Sequence, residues 1–231
     1  MCSKHSGNKR QLLRRWTMNT IITIGRQYGS GGREVGQKLA AHYGINFYDN
    51  ELLAKVAKES GFCQEIVQQQ DERPTNSFLY NLVMDTYSFG FSNSAFSDMP
   101  ISQKVFLAQY DTIKKIAKEE GACVIIGRCA DCALQDFSNV INLFLHASEE
   151  FRIARAATYP DVPDADKANP DKLRDYVLRK DKQRQSYYNY YSMKKWGRAD
   201  TYDMSLDIGL LGIEGTVNLL TQVIEDFENR S

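Results

Sequence analysis

The chain has 231 residues, of which 42% are hydrophobic and 25% are charged, values that exclude a disordered chain and are typical of a globular domain. This length predicts one large domain or one domain with insertions. Lysine plus arginine and aspartate plus glutamate number 29 each, so the formal net charge is zero. A surface that binds nucleic acid throughout is therefore not expected, and any basic site must be local.

The sequence predicts a cytoplasmic protein without a membrane partner. No apolar run approaches the roughly 18 residues of a membrane span, and residues 1–17 lack the apolar stretch of a signal peptide. The five cysteines are odd in number and lack framework spacing, which fits a reducing compartment. Residues 1–17 are basic and precede the first strand-like run. We interpret them as a tail outside the fold; an arm for an acidic partner is the alternative.

In the first half of the chain, β-branched and apolar runs alternate with helical periodicity. Strands are predicted at 20–24 and 45–48, and helices at 34–43, about 50–59 and 105–120. Residues 62–120 are predicted to be helical in pieces. Within them, residues 88–100 are rich in Ser, Phe and Gly and lose periodicity, which predicts a mobile insertion.

In the second half, residues 122–126 and 140–145 form continuous apolar runs, the pattern of strands buried on both faces of a parallel sheet. A helix capped by Ser148 is expected at 148–158. A polar loop at 159–170, a charged helix at 171–191, a strand at 202–208 and a helix at 213–228 follow. Strands that alternate with helices in this way predict a doubly wound α/β domain with a parallel sheet.

The first predicted strand runs into Gly25-Arg-Gln-Tyr-Gly-Ser-Gly-Gly-Arg-Glu-Val-Gly36 and then into a helix. Glycines allow a tight turn in which several backbone N–H groups face one anion, and a helix N-terminus adds partial positive charge. The segment therefore predicts a phosphate-binding loop. The alternative is a glycine-rich turn without a ligand.

Several blocks occur in the order ITIGRQYGSGGREVGQKLA, INFYDNELL, VIIGRCAD, NLFLHASEEFRIARA and GIEG, with a basic tyrosine-bearing helix before the last. In this order they resemble the cytidylate kinase-like family of P-loop proteins over residues 19–228. The resemblance implies an α/β fold of the P-loop NTPase type, a three-layer sandwich with a parallel sheet. It further implies one domain over 18–231, with a helical acceptor-binding insertion at 62–120 and a basic lid at 159–198.

The same resemblance implies a phosphotransferase that moves the terminal phosphoryl group of ATP, with Mg²⁺, to a small nucleoside monophosphate such as cytidylate. The donor would be held by Arg26, Gly29, Ser30, Gly31, Gly32, Arg33 and Glu34. Against the family loop G-x-x-G-S-G-K-G-T, Gly32 replaces the lysine and Glu34 the threonine. Arg33 or Arg26 is expected to replace the lysine, with Arg33 also catalytic. Glu34 either reaches the metal through water or is an early-turn acid of the helix.

Acceptor residues are expected after two predicted strands, at the edge where α/β sheets bind ligands. The resemblance implies that Asp49 faces the acceptor, and the alternative is that Asp49 caps the next helix. Arg128 follows a fully apolar strand, where a guanidinium has few purely structural roles. It is therefore interpreted as a ligand of the acceptor phosphate. Asp131 would contact the acceptor base or sugar. Gly127-Arg-Cys-Ala-Asp131 matches the family block G-R-D only in part.

The charged helix carries Arg179, Asp181 and Arg184 in an R-x-D-x-x-R pattern similar to the lid of cytidylate kinases. Cationic lid groups stabilise the charge of the transferring phosphoryl group, so Arg179 and Arg184 are predicted to be catalytic. A solvated charged face is the alternative. Tyr187, Tyr188, Tyr190 and Tyr191 are interpreted as core or as a homodimer contact.

Cys123, Cys129 and Cys132 lie close together without a neighbouring histidine, so packing is expected and no metal-binding residue is assigned. The changes at Gly32 and Glu34 leave two other functions open. One is a nucleotide-binding regulatory protein that has lost transfer, and the other is a kinase for a different small metabolite.

Overall fold

The computed structural model describes residues 18–72 and 99–230, with one five-stranded sheet. Its strands are β1 (Ile21–Arg26), β2 (Asn46–Tyr48), β3 (Cys123–Ile126), β4 (Val140–His146) and β5 (Met204–Asp207). All pairings are parallel, in the order β2-β3-β1-β4-β5. Ile21 of β1 is in register with Cys123 on one side and with Val140 on the other. The predicted parallel sheet is confirmed.

Nine α-helices connect or follow these strands in the described part of the chain. They are α1 (Gly32–Tyr43), α2 (Asn50–Ser60), α3 (Gln64–Gln70), α4 (Ile101–Glu120), α5 (Ala130–Ala133), α6 (Glu149–Ala156), α7 (Asp164–Lys167), α8 (Pro170–Tyr191) and α9 (Ile208–Glu228). A short 3-10 helix spans Ala199–Thr201. The predicted cap of α6 is confirmed, since the Ser148 side chain accepts a hydrogen bond from the Phe151 N–H.

Helices cover both faces of the sheet, which confirms the three-layer arrangement. Successive side chains of a strand point to opposite faces. Ile21 and Ile125 therefore pack with α2 and α4 on one face. Ile22 and Ile24 pack with α1 and α9 on the other face. The strands are apolar on both sides, as the continuous apolar runs indicate.

Four element boundaries differ from those predicted. Helix α1 begins at Gly32 and α4 at Ile101, each earlier than expected. Strand β5 is shorter than 202–208, because the buried Tyr202 packs among aromatic side chains before the strand begins. Helix α9 begins at Ile208 and is interrupted at Gly212 (φ 68°, ψ 172°), so the predicted 213–228 is its second part.

Some predictions concern residues outside the described ranges. The expected tail at 1–17 lies there, as do residues 73–98, which include most of the predicted mobile segment 88–100. The division of residues 18–231 into a core, an insertion at 62–120 and a lid at 159–198 stays a prediction. Within residues 18–72 and 99–230, no helix combines the length and apolarity needed to span a bilayer.

Candidate functional site

The loop between β1 and α1 lies at the carboxyl end of the central strand of the sheet. Gly29 (φ 79°) and Gly31 (φ 95°) adopt left-handed backbone conformations that favour glycine. A Cβ on Gly29 would lie 2.4 Å from the carbonyl oxygen of Arg152, and a Cβ on Gly31 would lie 2.5 Å from Cδ1 of Ile213. Both backbone conformation and space therefore require glycine at these two positions.

This loop has backbone donors available for an anion. No described residue accepts a hydrogen bond from the N–H groups of Gly29 and Gly31. Helix α1 begins at Gly32, and the first N–H groups of a helix have no partner inside it. Ser30 is fully buried, and its hydroxyl donates to the Gln27 carbonyl (2.9 Å) and accepts from the Gly32 N–H (3.3 Å). Ser30 thus holds the loop in shape, and the loop can bind a phosphate.

The two positions that depart from the family loop have other contacts here. A Cβ on Gly32 would lie 2.8 Å from Cβ of Arg26 and 3.3 Å from Cβ of Leu145, so a lysine does not fit unless its neighbours move. The Glu34 carboxylate, in the first turn of α1, forms an ion pair with Arg155 at 2.8 Å. Glu34 is therefore an early-turn acid whose carboxylate already has a cationic partner.

Asp49 lies directly before α2 but does not cap it, since its side chain makes no capping hydrogen bond. Its carboxylate accepts instead from Nε of Arg33 (2.6 Å) and from Arg128 (3.3 Å). Burial raises the pKa of Asp49, but the guanidiniums of Arg26, Arg128 and Arg33 outweigh burial and leave this pKa below its usual value. The capping alternative is therefore wrong, and the carboxylate is charged and faces arginines.

Arg128 is held in a strained turn after β3. Gly127, Arg128 and Cys129 all have positive φ angles (68°, 55° and 54°), a conformation that costs the two non-glycine residues free energy. The Arg128 side chain is 1% exposed. It donates to both carboxylate oxygens of Asp71 at 2.9 Å and to the Ile126 carbonyl at 3.0 Å. Burial lowers the pKa of Arg128, but the carboxylates of Asp71, Glu72 and Asp49 raise it by more. The net pKa lies above its usual value, and the guanidinium stays charged.

Arg26 and Arg184 share one carboxylate, that of Glu72. Arg26 donates to one oxygen of Glu72 at 2.8 Å, and Arg184 donates to the other at 3.1 Å. Burial raises the pKa of Glu72, but Arg26 and Arg184 lower it more, so its pKa lies well below the usual range. Arg184 also donates to the Arg26 carbonyl oxygen at 3.4 Å. The end of β1 and helix α8 are thus joined through Glu72.

Helix α8 contacts the glycine-rich loop through Asp181. Its carboxylate accepts from the Tyr28 backbone N–H (2.7 Å) and from Arg152 (2.5 Å). Arg184, one turn further along α8, is on the same side of the helix. Arg179 is exposed and lies over the Tyr176 ring at 5.2 Å, and it is absent from the described residues that line the cleft. The two predicted lid arginines are therefore on different faces of α8.

Asp131 lies beside a second, much smaller cavity of about 20 Å³. Its carboxylate accepts from the Tyr188 hydroxyl (2.6 Å) and from Nζ of Lys194 (3.3 Å). Arg128 borders both this cavity and the main cleft, whereas Asp131 borders only the smaller cavity. The predicted contact of Asp131 with an acceptor base or sugar stays a prediction.

The tyrosines of α8 and the clustered cysteines pack within the chain. Tyr187, Tyr188 and Tyr191 are buried, and the Tyr191 ring stacks on Phe106 with centroids 3.9 Å apart. Cys123 and Cys129 are buried, and burial raises the pKa of Cys123 to about 12. Over the described residues, no group of three or more His, Cys, Asp or Glu side chains is placed to hold a metal ion.

One cleft of about 820 Å³ brings most of the predicted residues together. The loop lies on one side, and Asp49 and Arg128 lie on another. The predicted residues that line this cleft are Arg26, Gly29, Gly31, Gly32, Arg33, Glu34, Asp49, Arg128 and Arg184. The sequence analysis missed Asp71, Glu72, Arg152 and Arg155, which pair with these residues or hold the loop, and it noted Asp181 only as part of a pattern, without a role. A carboxylate pair directly after a short helix was the available signal for Asp71 and Glu72.

A strand, a glycine-rich loop and a helix N-terminus at the edge of a parallel sheet, beside a cleft lined by arginines, define an α/β protein of the P-loop type. No curated protein sequence matches this chain. Residues 21–210 match the cytidylate kinase-like family, and the chain belongs to that family. Membership supports the phosphotransferase class and a small-molecule substrate.

Solved structures agree with this fold. An uncharacterized protein from Eubacterium ventriosum ATCC 27560 is 28% identical, with a TM-score of 0.64 over 89% of this chain and 98% of that chain. A shikimate kinase from Bacteroides thetaiotaomicron has a TM-score of 0.51 and 13% identity, over 89% and 98% of the two chains. At that identity the second similarity concerns the fold alone.

Proposed function

We propose that this protein transfers the terminal phosphoryl group of ATP to a nucleoside monophosphate, with a cytidylate-like acceptor. The observation that carries the proposal is one cleft lined by the glycine-rich loop, with its own Arg26 and Arg33, and by Arg128 and Arg184 from other parts of the chain. Phosphoryl transfer depends mainly on positioning and on cationic groups, and this cleft supplies both. Membership of the cytidylate kinase-like family supports the same reaction class.

The donor phosphates are proposed to bind at the loop. The N–H groups of Gly29 and Gly31 and the N-terminus of α1 supply donors that need no lysine at position 32. Arg33 adjoins this helix end and is 51% exposed, so its guanidinium is accessible to a ligand. We propose that Arg33 and Arg26 supply the positive charge that a P-loop lysine supplies elsewhere.

Mg²⁺ is proposed to enter with the donor, where it would neutralise phosphate charge. Glu34 is the carboxylate on the loop, and its type of oxygen suits this ion. Its ion pair with Arg155 at 2.8 Å must open before it can reach a metal, directly or through water. The loop therefore fits the phosphates better than the ion.

The acceptor is proposed to bind at Arg128 and Asp49, with Asp131 near its base or sugar. An oxygen of the acceptor phosphate attacks the γ-phosphorus of ATP and forms a new P–O bond. The bond from the γ-phosphorus to the β,γ-bridging oxygen breaks, and its electron pair leaves on ADP. Because the attacking phosphate oxygen is already ionised, this step requires no general base. Two anions bound in one cleft need the cations that line it.

Arg184 is proposed to stabilise the transferring group, since it lines the cleft and already contacts a carboxylate there. The proposed role of Arg179 requires α8 to shift, because its guanidinium lies over Tyr176. The proposal places the reaction in the cytoplasm, where ATP and nucleoside monophosphates are found. A homodimer stays a prediction from the sequence.

The test is ADP release by the purified full chain with ATP and Mg²⁺, against a panel of nucleoside monophosphates and small hydroxylated metabolites. We expect cytidylate to give the highest kcat/KM. The Arg174→Ala variant is the matched control on α8, because Arg174 is exposed and pairs with Glu149 away from the cleft. Its rate should match that of the wild type.

Two other outcomes of this assay correspond to the alternatives. ATP binding without ADP release above the acceptor-free rate would overturn the proposal and favour the regulatory protein, which Gly32 and Glu34 motivate. Acceleration by a hydroxylated metabolite and by no nucleoside monophosphate would instead identify a kinase for that metabolite.

A further inference from the structure

Two consecutive carboxylates, Asp71 and Glu72, lie in the cleft directly after α3. Asp71 accepts from two nitrogens of Arg128, and Glu72 bridges Arg26 and Arg184. The side chains of Asp71 and Glu72 are only 21% and 15% exposed. Glu72 has a φ of 48°, a left-handed conformation that is unfavourable for a glutamate. The backbone is thus strained where it delivers both carboxylates to the arginines.

The geometry of these contacts is the one that a phosphate would use. Arg128 donates through Nε and a terminal nitrogen to the two oxygens of Asp71, at 2.9 Å each, the paired contact that guanidinium forms with carboxylate and phosphate alike. Glu72 uses its two oxygens on two different guanidiniums, as a bridging phosphate does. The cationic groups that an anionic ligand needs are therefore already paired.

Helix α3 is weakly held, so these contacts can be exchanged. It has seven residues, and Val67 is its one buried side chain. Gln68 and Gln69, on the turn before Asp71, are exposed, and Gln68 lies at the cleft. Little apolar burial opposes movement of this short helix away from the arginines.

We infer that Asp71 and Glu72 form an internal latch, which occupies the anion sites of the cleft and is displaced when phosphates bind. The inference rests on the proposed function in one respect, namely that Arg26, Arg128 and Arg184 bind ligand phosphates. Because only molecules with the latch displaced can bind, the apparent affinity for the ligand equals the intrinsic affinity multiplied by the fraction of molecules in that open state.

The latch also couples the two halves of the cleft. Glu72 pairs with Arg26 and Arg184 beside the loop, while Asp71, the preceding residue, pairs with Arg128 on the acceptor side. A phosphate that displaces Glu72 moves the backbone that carries Asp71 and so exposes Arg128. Binding of one ligand should therefore tighten binding of the other, and this coupling is reciprocal.

The experiment compares the Asp71→Asn/Glu72→Gln double variant with the wild type, and measures the affinity for inorganic pyrophosphate by calorimetry. The neutral amides compete less for guanidinium, so we expect binding at least about tenfold tighter in the double variant. The matched control is Glu65→Gln, an exposed carboxylate on the same helix, with affinity unchanged within about twofold. Equal or weaker binding by a folded double variant would overturn the latch, because it would mean that the carboxylates only position the arginines.

A second measurement needs no variant. Pyrophosphate added to the wild-type chain should speed amide hydrogen exchange in residues 64–72, because the latch leaves its arginines. Slower or unchanged exchange there, with pyrophosphate bound, contradicts the inference. Both readouts are independent of turnover. The latch and the proposed function can therefore fail separately. If the double variant binds pyrophosphate more tightly but the wild type transfers no phosphoryl group, the latch is supported and the proposed function is rejected.

Discussion

The Asp181 carboxylate accepts a hydrogen bond from the Tyr28 backbone N–H at 2.7 Å, which ties α8 to the glycine-rich loop. The same carboxylate pairs with Arg152 at 2.5 Å, and Arg152 donates to the Tyr28 carbonyl at 3.3 Å. The loop and the predicted lid helix are thus joined by a buried network of three residues. Movement of α8 requires this network to break or to move as a unit.

Replacement of Gly29 by alanine should disrupt the loop. The new Cβ would lie 2.4 Å from the Arg152 carbonyl oxygen, in a left-handed conformation. We expect ATP affinity to fall by at least about tenfold, since a shifted loop loses its anion donors. Calorimetric titration with ATP measures this loss.

The control is Gly44→Ala, which also has a positive φ (65°) but has no atom within 4 Å of the new Cβ. It should cost only the backbone term of about 1 kcal/mol and leave ATP affinity unchanged. Equal losses of affinity in both variants would show that left-handed strain alone, rather than the loop position, is responsible.

Arg128→Ala should lower both acceptor affinity and stability. Removal of the guanidinium leaves Asp71 and Asp49 without their buried partner, and breaking such a pair costs about 3 kcal/mol. Urea denaturation measures the free energy of unfolding. In the exposed pair of Arg198 with Asp200, Arg198→Ala should leave the free energy of unfolding nearly unchanged, because solvent screens the pair. A stable Arg128→Ala variant would mean that the two carboxylates become protonated or solvated at little cost.

Asp49→Asn should destabilise the fold at neutral pH by about 2 kcal/mol, because the guanidiniums of Arg33 and Arg128 then donate to a neutral amide oxygen and lose a negatively charged partner. The folded-state pKa of Asp49 lies below its usual value of 3.8. The stabilisation is therefore complete above that value and is lost as the pH falls through the lower, folded-state pKa. Unfolding free energies of wild type and variant should differ equally at pH 7 and 5 and converge only below about pH 4.

A constant difference down to pH 2 would show that the Asp49 contribution comes from packing and not from its charge. Asp175→Asn, an exposed carboxylate on α8, is the control and should change the free energy of unfolding by no more than about 0.5 kcal/mol at neutral pH.

Arg184→Ala should reduce kcat by about 10²-fold or more, if the proposed transfer occurs, because a cation that meets the transferring charge is lost. Steady-state kinetics with saturating ATP and cytidylate provide the measurement. Arg179→Ala tests whether α8 shifts during the reaction. A loss of kcat comparable to that of Arg184→Ala requires that Arg179 reaches the cleft, whereas an unchanged kcat indicates a fixed helix. An unchanged kcat in Arg184→Ala would remove Arg184 from the proposed catalytic groups.

The sequence predicted the features that local pattern determines. Continuous apolar runs predicted β3 and β4, and the glycine spacing after β1 predicted the loop, because backbone conformation and burial leave a signature in neighbouring residues. Helical geometry explains one limit of the lid prediction. Arg179 and Arg184 are five residues apart, about 140° around a helix at about 100° per residue, so they leave α8 on different sides and only Arg184 lines the cleft in this structure. Asp181 and Arg184, three apart, do lie on one side.

The contacts that organise the site were not predictable, because they join residues distant in sequence. Asp71 and Glu72 lie within residues 62–120, which were predicted only to be helical in pieces, and their arginine partners are 46 to 112 positions away. Arg152 is buried, although the sequence predicted only a helix at 148–158 and gave this residue no role. Asp49 had two interpretations from its position alone, and only the placement of Arg33 and Arg128 decides between them.

The position of β1 at the centre of the sheet affects how the protein is made. Thr23 of β1 hydrogen-bonds to Asn142 of β4 across 119 positions of chain, and β3 is nearly as distant. During synthesis at about 5–20 residues per second, the first strand therefore waits about 6 to 24 seconds for β4. The apolar run before the glycine-rich loop is exposed during that interval, when a chaperone that shields extended apolar segments would protect it best. The part of the site encoded first is thus completed late, when β4 leaves the ribosome.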